Sequence, residues 1–270
     1  GPALWIYPPP DHWPEHYPYC GGTFQSPIDI KSELMRFDPT LRPIQVQNYN
    51  LAPGEQLTLG NNGHSSDLPH RYTAAQLHFH WGSRGRAAGS EHVRFPFQMH
   101  VVHFNSDRYP NVSTAVDKSD GLAVLGVLIE VGEFNPTFEH FLKFINGIKY
   151  MGQRVQIPGF NVRALLPARL DEYYRYDGSL TTPPCYPSVL WTVFRDRVTV
   201  SHQQVLHGSR LLPFRPDSAP LPLNNNYRRL QLPDSRTVLV SFKEGECVFY
   251  TRFGYYWRST WLLSSEGHLL

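Results

Sequence analysis

Gln76-Leu-His-Phe-His-Trp81 sets two histidines one residue apart in an otherwise apolar and aromatic run. In an extended strand successive side chains point to opposite faces, so Gln76, His78 and His80 share one face while Leu77, Phe79 and Trp81 share the other. One face suits a core and the other can bind something. A second segment, Phe97-Gln-Met-His-Val-Val-His103, alternates likewise and sets Gln98, His100 and Val102 on a common face. Between them Gly82-Ser-Arg-Gly-Arg-Ala-Ala-Gly-Ser90 is rich in turn residues. The two strands can therefore reverse, pair antiparallel and bring His78, His80 and His100 to one point. Three neutral imidazoles with no fourth protein ligand describe an open tetrahedral zinc site, the type that keeps one position for water and lowers its pKa to roughly 7.

The rest of the chain bounds what such a site can serve. At 270 residues, 41% hydrophobic and 14% aromatic, the chain can bury a sizeable core. A formal charge of +2 with no basic run argues against nucleic acid and favours small or neutral partners. The longest apolar run, Leu122 to Ile129, is far too short to cross a bilayer and reads as a strand buried on both faces. No charged-then-apolar leader opens the chain, so any secretory signal has been removed, and Gly1-Pro2 could be a cloning remnant. Cys20, Cys185 and Cys247 are too scattered for a thiolate zinc site and leave room for one pair and an odd thiol. The sequon Asn111-Val-Ser113 is compatible with glycosylation in a secreted protein and equally with an ordinary surface loop.

Prolines and glycines punctuate many short apolar segments, so sheet should dominate. Strands are expected at 44–46, 57–59, 72–81, 97–105, 122–131, 188–194 and 237–242. The best helix starts at Asn135-Pro136, a cap residue followed by proline at the first helical position, carries Phe138, Phe141, Leu142 and Ile145 on one stripe, and should end near 147–150. No domain boundary precedes about residue 243, and the tail 244–270 has aromatics without periodicity.

With these pieces in view, the chain resembles the α-class carbonic anhydrases. Besides QLHFHWG and His100, the resemblance rests on Gln25-Ser-Pro-Ile-Asp29, Asn61-Asn-Gly-His64, Gly89-Ser-Glu-His92, Gly121-Leu-Ala-Val-Leu125, Tyr176 to Cys185 (YDGSLTTPPC), Trp191-Thr-Val-Phe194 and Asn226-Tyr-Arg228. They run in family order from about Trp5 to Lys243. The contexts of Cys20 and Cys185 resemble the extracellular and membrane-associated members, in which this pair forms a disulfide. The implied fold is mixed α/β and sheet-dominated: one domain, residues 1–243, around a large twisted, mostly antiparallel sheet with peripheral short helices, followed by a tail of unknown role, 244–270.

The resemblance also implies roles. Zinc held by His78, His80 and His100 would supply the hydroxide that attacks CO2 to give bicarbonate and a proton. Thr181 would accept the hydroxide proton while donating its own to Glu91, and His64 would shuttle the released proton to buffer. Val102, Val124, Leu180, Thr182, Val189 and Trp191 would line the CO2 pocket, while Gln76, Gln98 and the main chain at Asn226 would orient the zinc ligands. Sulfonamides should inhibit, and a secreted or extracellular location follows.

Two departures weigh against full activity. Gln98 stands where the family has a glutamate accepting the N–H of the third zinc histidine, so His100 becomes a poorer donor and zinc retention should weaken. Only 13 residues separate His64 from His78. Related chains have roughly 30 there, a shortfall the size of two short strands and their turn. The rival reading is therefore a carbonic anhydrase-like binding domain with reduced or no activity. The lack of His-Glu-x-x-His argues against a zinc peptidase, and the lack of Gly-x-Ser-x-Gly against a serine hydrolase.

Overall fold

Alternation and β-branching organise the chain into strands, which the computed structural model describes over residues 9–47, 49, 58–59, 68, 70–80, 97–145, 161–208 and 227–243. Among these residues the strands are β1 (Met35–Phe37), β2 (Val46–Gln47), β3 (Thr58–Leu59), β4 (Tyr72–His80), β5 (Phe97–Asn105), β6 (Leu122–Val131), β7 (Tyr173–Gly178), β8 (Val189–Phe194), β9 (Val198–Val200) and β10 (Val238–Val240). They form one ten-stranded sheet in the order β1-β10-β7-β8-β6-β5-β4-β3-β2, with β9 paired to β6 off that path. The β1–β10, β6–β8 and β6–β9 pairings are parallel and the others antiparallel. The expected mixed, mostly antiparallel sheet with short helices is what the chain forms.

β5 and β6 lie in the middle, and period-two alternation sends their side chains into two cores. Met99, Val101, Ala123, Leu125 and Val127 enter the larger core with Tyr173, Phe194 and Phe138. On the opposite face Val102, Leu122 and Val124 pack with Tyr176, Val189, Trp191 and Val238 in a smaller core. The run Leu122 to Ile129 is buried apart from a half-buried Leu128, as a strand covered on both faces must be. Among the described side chains of the helix Pro136–Ile145, Phe138 and Leu142 are buried. Its start is the one expected: Asn135 Oδ1 accepts from the N–H groups of Thr137 (3.1 Å) and Phe138 (3.2 Å). The expected end at 147–150 lies outside the described residues.

Three strands were not expected: β1, β7 and β9. β7 reads Tyr-Tyr-Arg-Tyr-Asp-Gly, and its Arg175 is buried, donating from Nε to Thr192 Oγ1 (3.0 Å) and lying over the Tyr173 ring. A charged side chain at an inward position hides a strand from any hydropathy pattern.

A buried polar pair in the larger core makes stability depend on pH. Tyr49 Oη and His103 Nε2 are 2.6 Å apart, and His103 Nδ1 lies 3.3 Å from the carbonyl of Ala123. The tautomer that satisfies both contacts donates from Nδ1 and accepts at Nε2. Burial pushes the imidazole down to about 4 from 6.5. Above pH 6.5 the folded and unfolded states are both neutral here. As pH falls from 6.5 to about 4, the unfolded chain takes up a proton that the folded one refuses, so stability is lost, by roughly 3 kcal/mol for this group. Urea unfolding across that window is expected to show this slope. Replacing both partners, Tyr49→Phe with His103→Leu, should flatten it by about one proton.

Candidate metal centre

The strand pair that carries the histidines is in the expected register: His78 lies opposite His100 and His80 opposite Gln98. Strict alternation along β4 would nevertheless put Tyr72 on the same face as His78 and His80. Tyr72 is instead buried in the larger core, and Ala74, Leu77 and Phe79 pack against that same core. A β-bulge reconciles the two patterns: Ala74 pairs with His103 but Gln76 with Val102, leaving Ala75 as the extra residue. Below the bulge even-numbered residues face the core, and above it odd-numbered ones do. The shift turns Gln76, His78 and His80 onto the face of His100, opposite the larger core.

One ring nitrogen from each of His78, His80 and His100 lies within 4.8 Å of the others. The ring centroids are 4.9 Å (His78–His80), 5.2 Å (His78–His100) and 4.7 Å (His80–His100) apart. His78 and His80 point Nε2 at Nε2 across 3.1 Å. His78 Nδ1 is buried without a hydrogen-bond partner among the described residues. Burial first, and the neighbouring His80 second, push His78 down to about 4; burial drives the fully enclosed His100 well below its ordinary value. His78 and His100 are thus set to be neutral at physiological pH, the state in which imidazole ligates a metal. Converging neutral nitrogen donors with no carboxylate among them fit a borderline-soft divalent ion such as zinc.

The apolar expectations fall beside this cluster. Val102 pairs with Gln76 on one side and Val124 on the other, and Val124 pairs with Trp191, so one row of the sheet carries all four. Val102, Val124, Val189 and Trp191 are buried and Leu180 packs against them. The Trp191 ring meets His100 edge to face at 4.9 Å. Thr181 is half-buried and Thr182 exposed in the turn after β7, which is closed by Leu180 N–H donating to Tyr186 O (3.0 Å) and Cys185 N–H to Thr182 O (2.9 Å). Gln76 is exposed and Gln98 half-buried. His64, Glu91 and Asn226 lie outside the described residues, as do Cys247, the tail 244–270 and positions 65–67 and 69 of the shortened interval.

Cys20 and Cys185 form a disulfide. Asn111 is exposed and its side-chain oxygen caps the helix Val112–Ala115 by accepting from Thr114 N–H (3.0 Å). Among the described residues no helix is long and apolar enough to cross a membrane. Sequence reasoning did not single out Ser26, Gly178 and Ser179, which lie directly behind Trp191; the only signal was their presence inside two of the family-like stretches.

Comparison with known proteins agrees with this geometry. A sequence model described as eukaryotic-type carbonic anhydrase matches residues 8–242. The chain is 47% identical over 262 residues to carbonic anhydrase 12 of Homo sapiens, covering 90% of this chain and 74% of that protein. It is 38% identical to carbonic anhydrase 6 of Homo sapiens (91% and 84% covered) and 37% identical to carbonic anhydrase 1 of Mus musculus (86% and 95%).

Proposed function

The chain belongs to the eukaryotic-type carbonic anhydrases, and from that premise we propose that it catalyses the reversible hydration of CO2 to bicarbonate and a proton. The observation that carries the reading is the convergence of His78, His80 and His100 on one point beside a buried apolar wall. These three residues are the ligands proposed for zinc. When bound, the ion supplies a Lewis acid that makes hydroxide available near neutral pH.

The chain's own residues do the rest. CO2 is apolar and takes its place against Val102, Val124, Leu180, Val189 and Trp191, with Thr182 at the exposed end. Thr181 would accept a hydrogen bond from the attacking hydroxide and donate one to Glu91, which would aim a lone pair at the carbon. His64 carries the released proton toward buffer, because imidazole titrates near the working pH. Gln98 and the Asn226 main chain would hold ligand rings in one tautomer, and Gln76 would serve His78 Nδ1, which has no hydrogen-bond partner among the described residues, once the metal is bound.

The paired cysteines favour an oxidising compartment, so we place the protein outside the cytosol, with Asn111 as a glycan acceptor. The domain extends over residues 1–243, with 244–270 as an appendage.

Purified protein is expected to carry roughly one zinc per chain, hydrate CO2 and lose that activity to a sulfonamide. Gln98→Glu should surrender its zinc to a chelator about tenfold more slowly, since a carboxylate makes His100 a better donor than an amide does. Zinc-loaded protein that hydrates no CO2 would overturn the reading in favour of a recognition domain.

A further inference from the structure

Behind the apolar wall two serines 153 residues apart in sequence are joined by reciprocal hydrogen bonds. Ser26 N–H donates to Ser179 Oγ (2.9 Å) and Ser179 N–H donates to Ser26 Oγ (3.1 Å). Both residues are completely buried. The Ser179 hydroxyl spends its own proton on Leu180 O (2.8 Å), and the Ser179 carbonyl accepts from Trp191 Nε1 (3.1 Å). The Ser26 hydroxyl is also 3.3 Å from that of Tyr176, whose ring lies parallel to Trp191 with centroids 6.2 Å apart. Only glycine fits at 178: a Cβ there would sit 2.2 Å from Ser26 Oγ and 2.9 Å from both Trp191 and Tyr176.

The far side of Ser26 is anchored just as firmly. Arg228 donates to Gln25 Oε1 (2.7 Å), Ser26 O (3.1 Å) and Cys20 O (2.7 Å), and Arg236 donates to Gln25 O (2.8 Å) and Asp177 O (3.2 Å). Both guanidiniums are buried. A core that needed only cohesion would be apolar, because buried hydroxyls and guanidiniums cost desolvation unless every group is matched. Here the matched groups end on Leu180 and Trp191, and Trp191 meets His100 edge to face.

We propose that Ser26 is a positioning residue for the hydration site: through Ser179 it fixes the Leu180–Thr182 turn and the Trp191 wall against the histidine cluster. This rests on the function proposed above. Ser26 itself contacts neither substrate nor metal; it sets where the groups that do so stand. Small displacements of such groups lower turnover without releasing ligand.

The test uses zinc-loaded full chain. Ser26→Ala and Ser179→Ala are each expected to lower kcat for CO2 hydration about tenfold, to shift KM far less and to leave zinc content unchanged. In fluorotryptophan-labelled protein, the fluorine resonance that disappears in Trp191→Phe should move in both variants. Because the two serines act as one unit, the double variant should cost no more than either single one. Folded variants with parental kcat and an unmoved Trp191 resonance overturn the proposal, and so does strict additivity. Loss of the folded state in both single variants also overturns it, for the pair would then be a structural tie. If the parent hydrates no CO2, the functional reading fails, whereas the Trp191 resonance still tests whether Ser26 places the wall.

Discussion

Replacing His100 with alanine is expected to leave a folded protein that no longer retains zinc through dialysis and has lost about a thousandfold or more of its CO2 hydration. His100 is the member of the cluster most completely enclosed: it stands between His78 on β4 and Gly126 on β6, with Trp191 edge-on to its ring. Two imidazoles from one strand cannot close a tetrahedral site on their own, so the third ligand decides between retention and loss. The fold should survive because the two strands remain paired on both sides of position 100, and the truncated ring opens toward the site face and away from the larger core. His100→Asn separates loss of the imidazole from loss of side-chain volume and should lose zinc equally. Metal analysis by mass spectrometry, beside a stopped-flow hydration assay, reads both quantities. If either variant keeps stoichiometric zinc, the ligand set is wrong and the enzymatic reading goes with it.

How much of this site could be read in the sequence depends on the range over which each residue acts. His78, His80 and His100 were legible because strand alternation is local: two short stretches fix which side chains share a face, and the turn-rich link between them lets the strands pair antiparallel. The bulge at Ala75 was not legible. Alanine fits a strand, a bulge or a helix equally well, and the extra residue shows only when Tyr72 is found in one core and His78 on the opposite face. β7 was hidden for a different reason. Its inward Arg175 is tolerated by a hydroxyl on β8 and a ring on its own strand, partners that hydropathy cannot foresee. Ser26 and Ser179 lie at the far limit, since nothing local marks two serines 153 residues apart as partners. The sheet-rich class and the shared face of His78, His80 and His100 follow from periodicity. The order of the strands, and the polar tie behind Trp191, are set by tertiary pairing that no window of sequence contains.

Removing the disulfide should separate stability from catalysis. Cys20 and Cys185 are 165 residues apart, and in the chain-entropy account a loop of that length restricts the unfolded state by about 5 kcal/mol. Replacing both by serine, which avoids adding a second free thiol to that of Cys247, is expected to lower urea-derived stability by up to that amount. The bond staples a small cluster, Trp13 with the two half-cystines, that is distinct from the two cores of the sheet. It also sits within hydrogen bonds that outlast it: Gln25 Nε2 donates to Cys185 O (3.1 Å), Cys185 N–H to Thr182 O (2.9 Å) and Arg228 to Cys20 O (2.7 Å). The turn bearing Thr181 is thus held from Ser26 and Gln25 as well as from Cys20. Under conditions where the double variant is still folded, kcat/KM for CO2 should therefore match the parent, while the unfolding midpoint drops. The reverse pattern, a small stability change with a large fall in turnover, would mean that the covalent link places the Thr181 turn and that the hydrogen bonds from Gln25 and Ser26 are not sufficient to hold it.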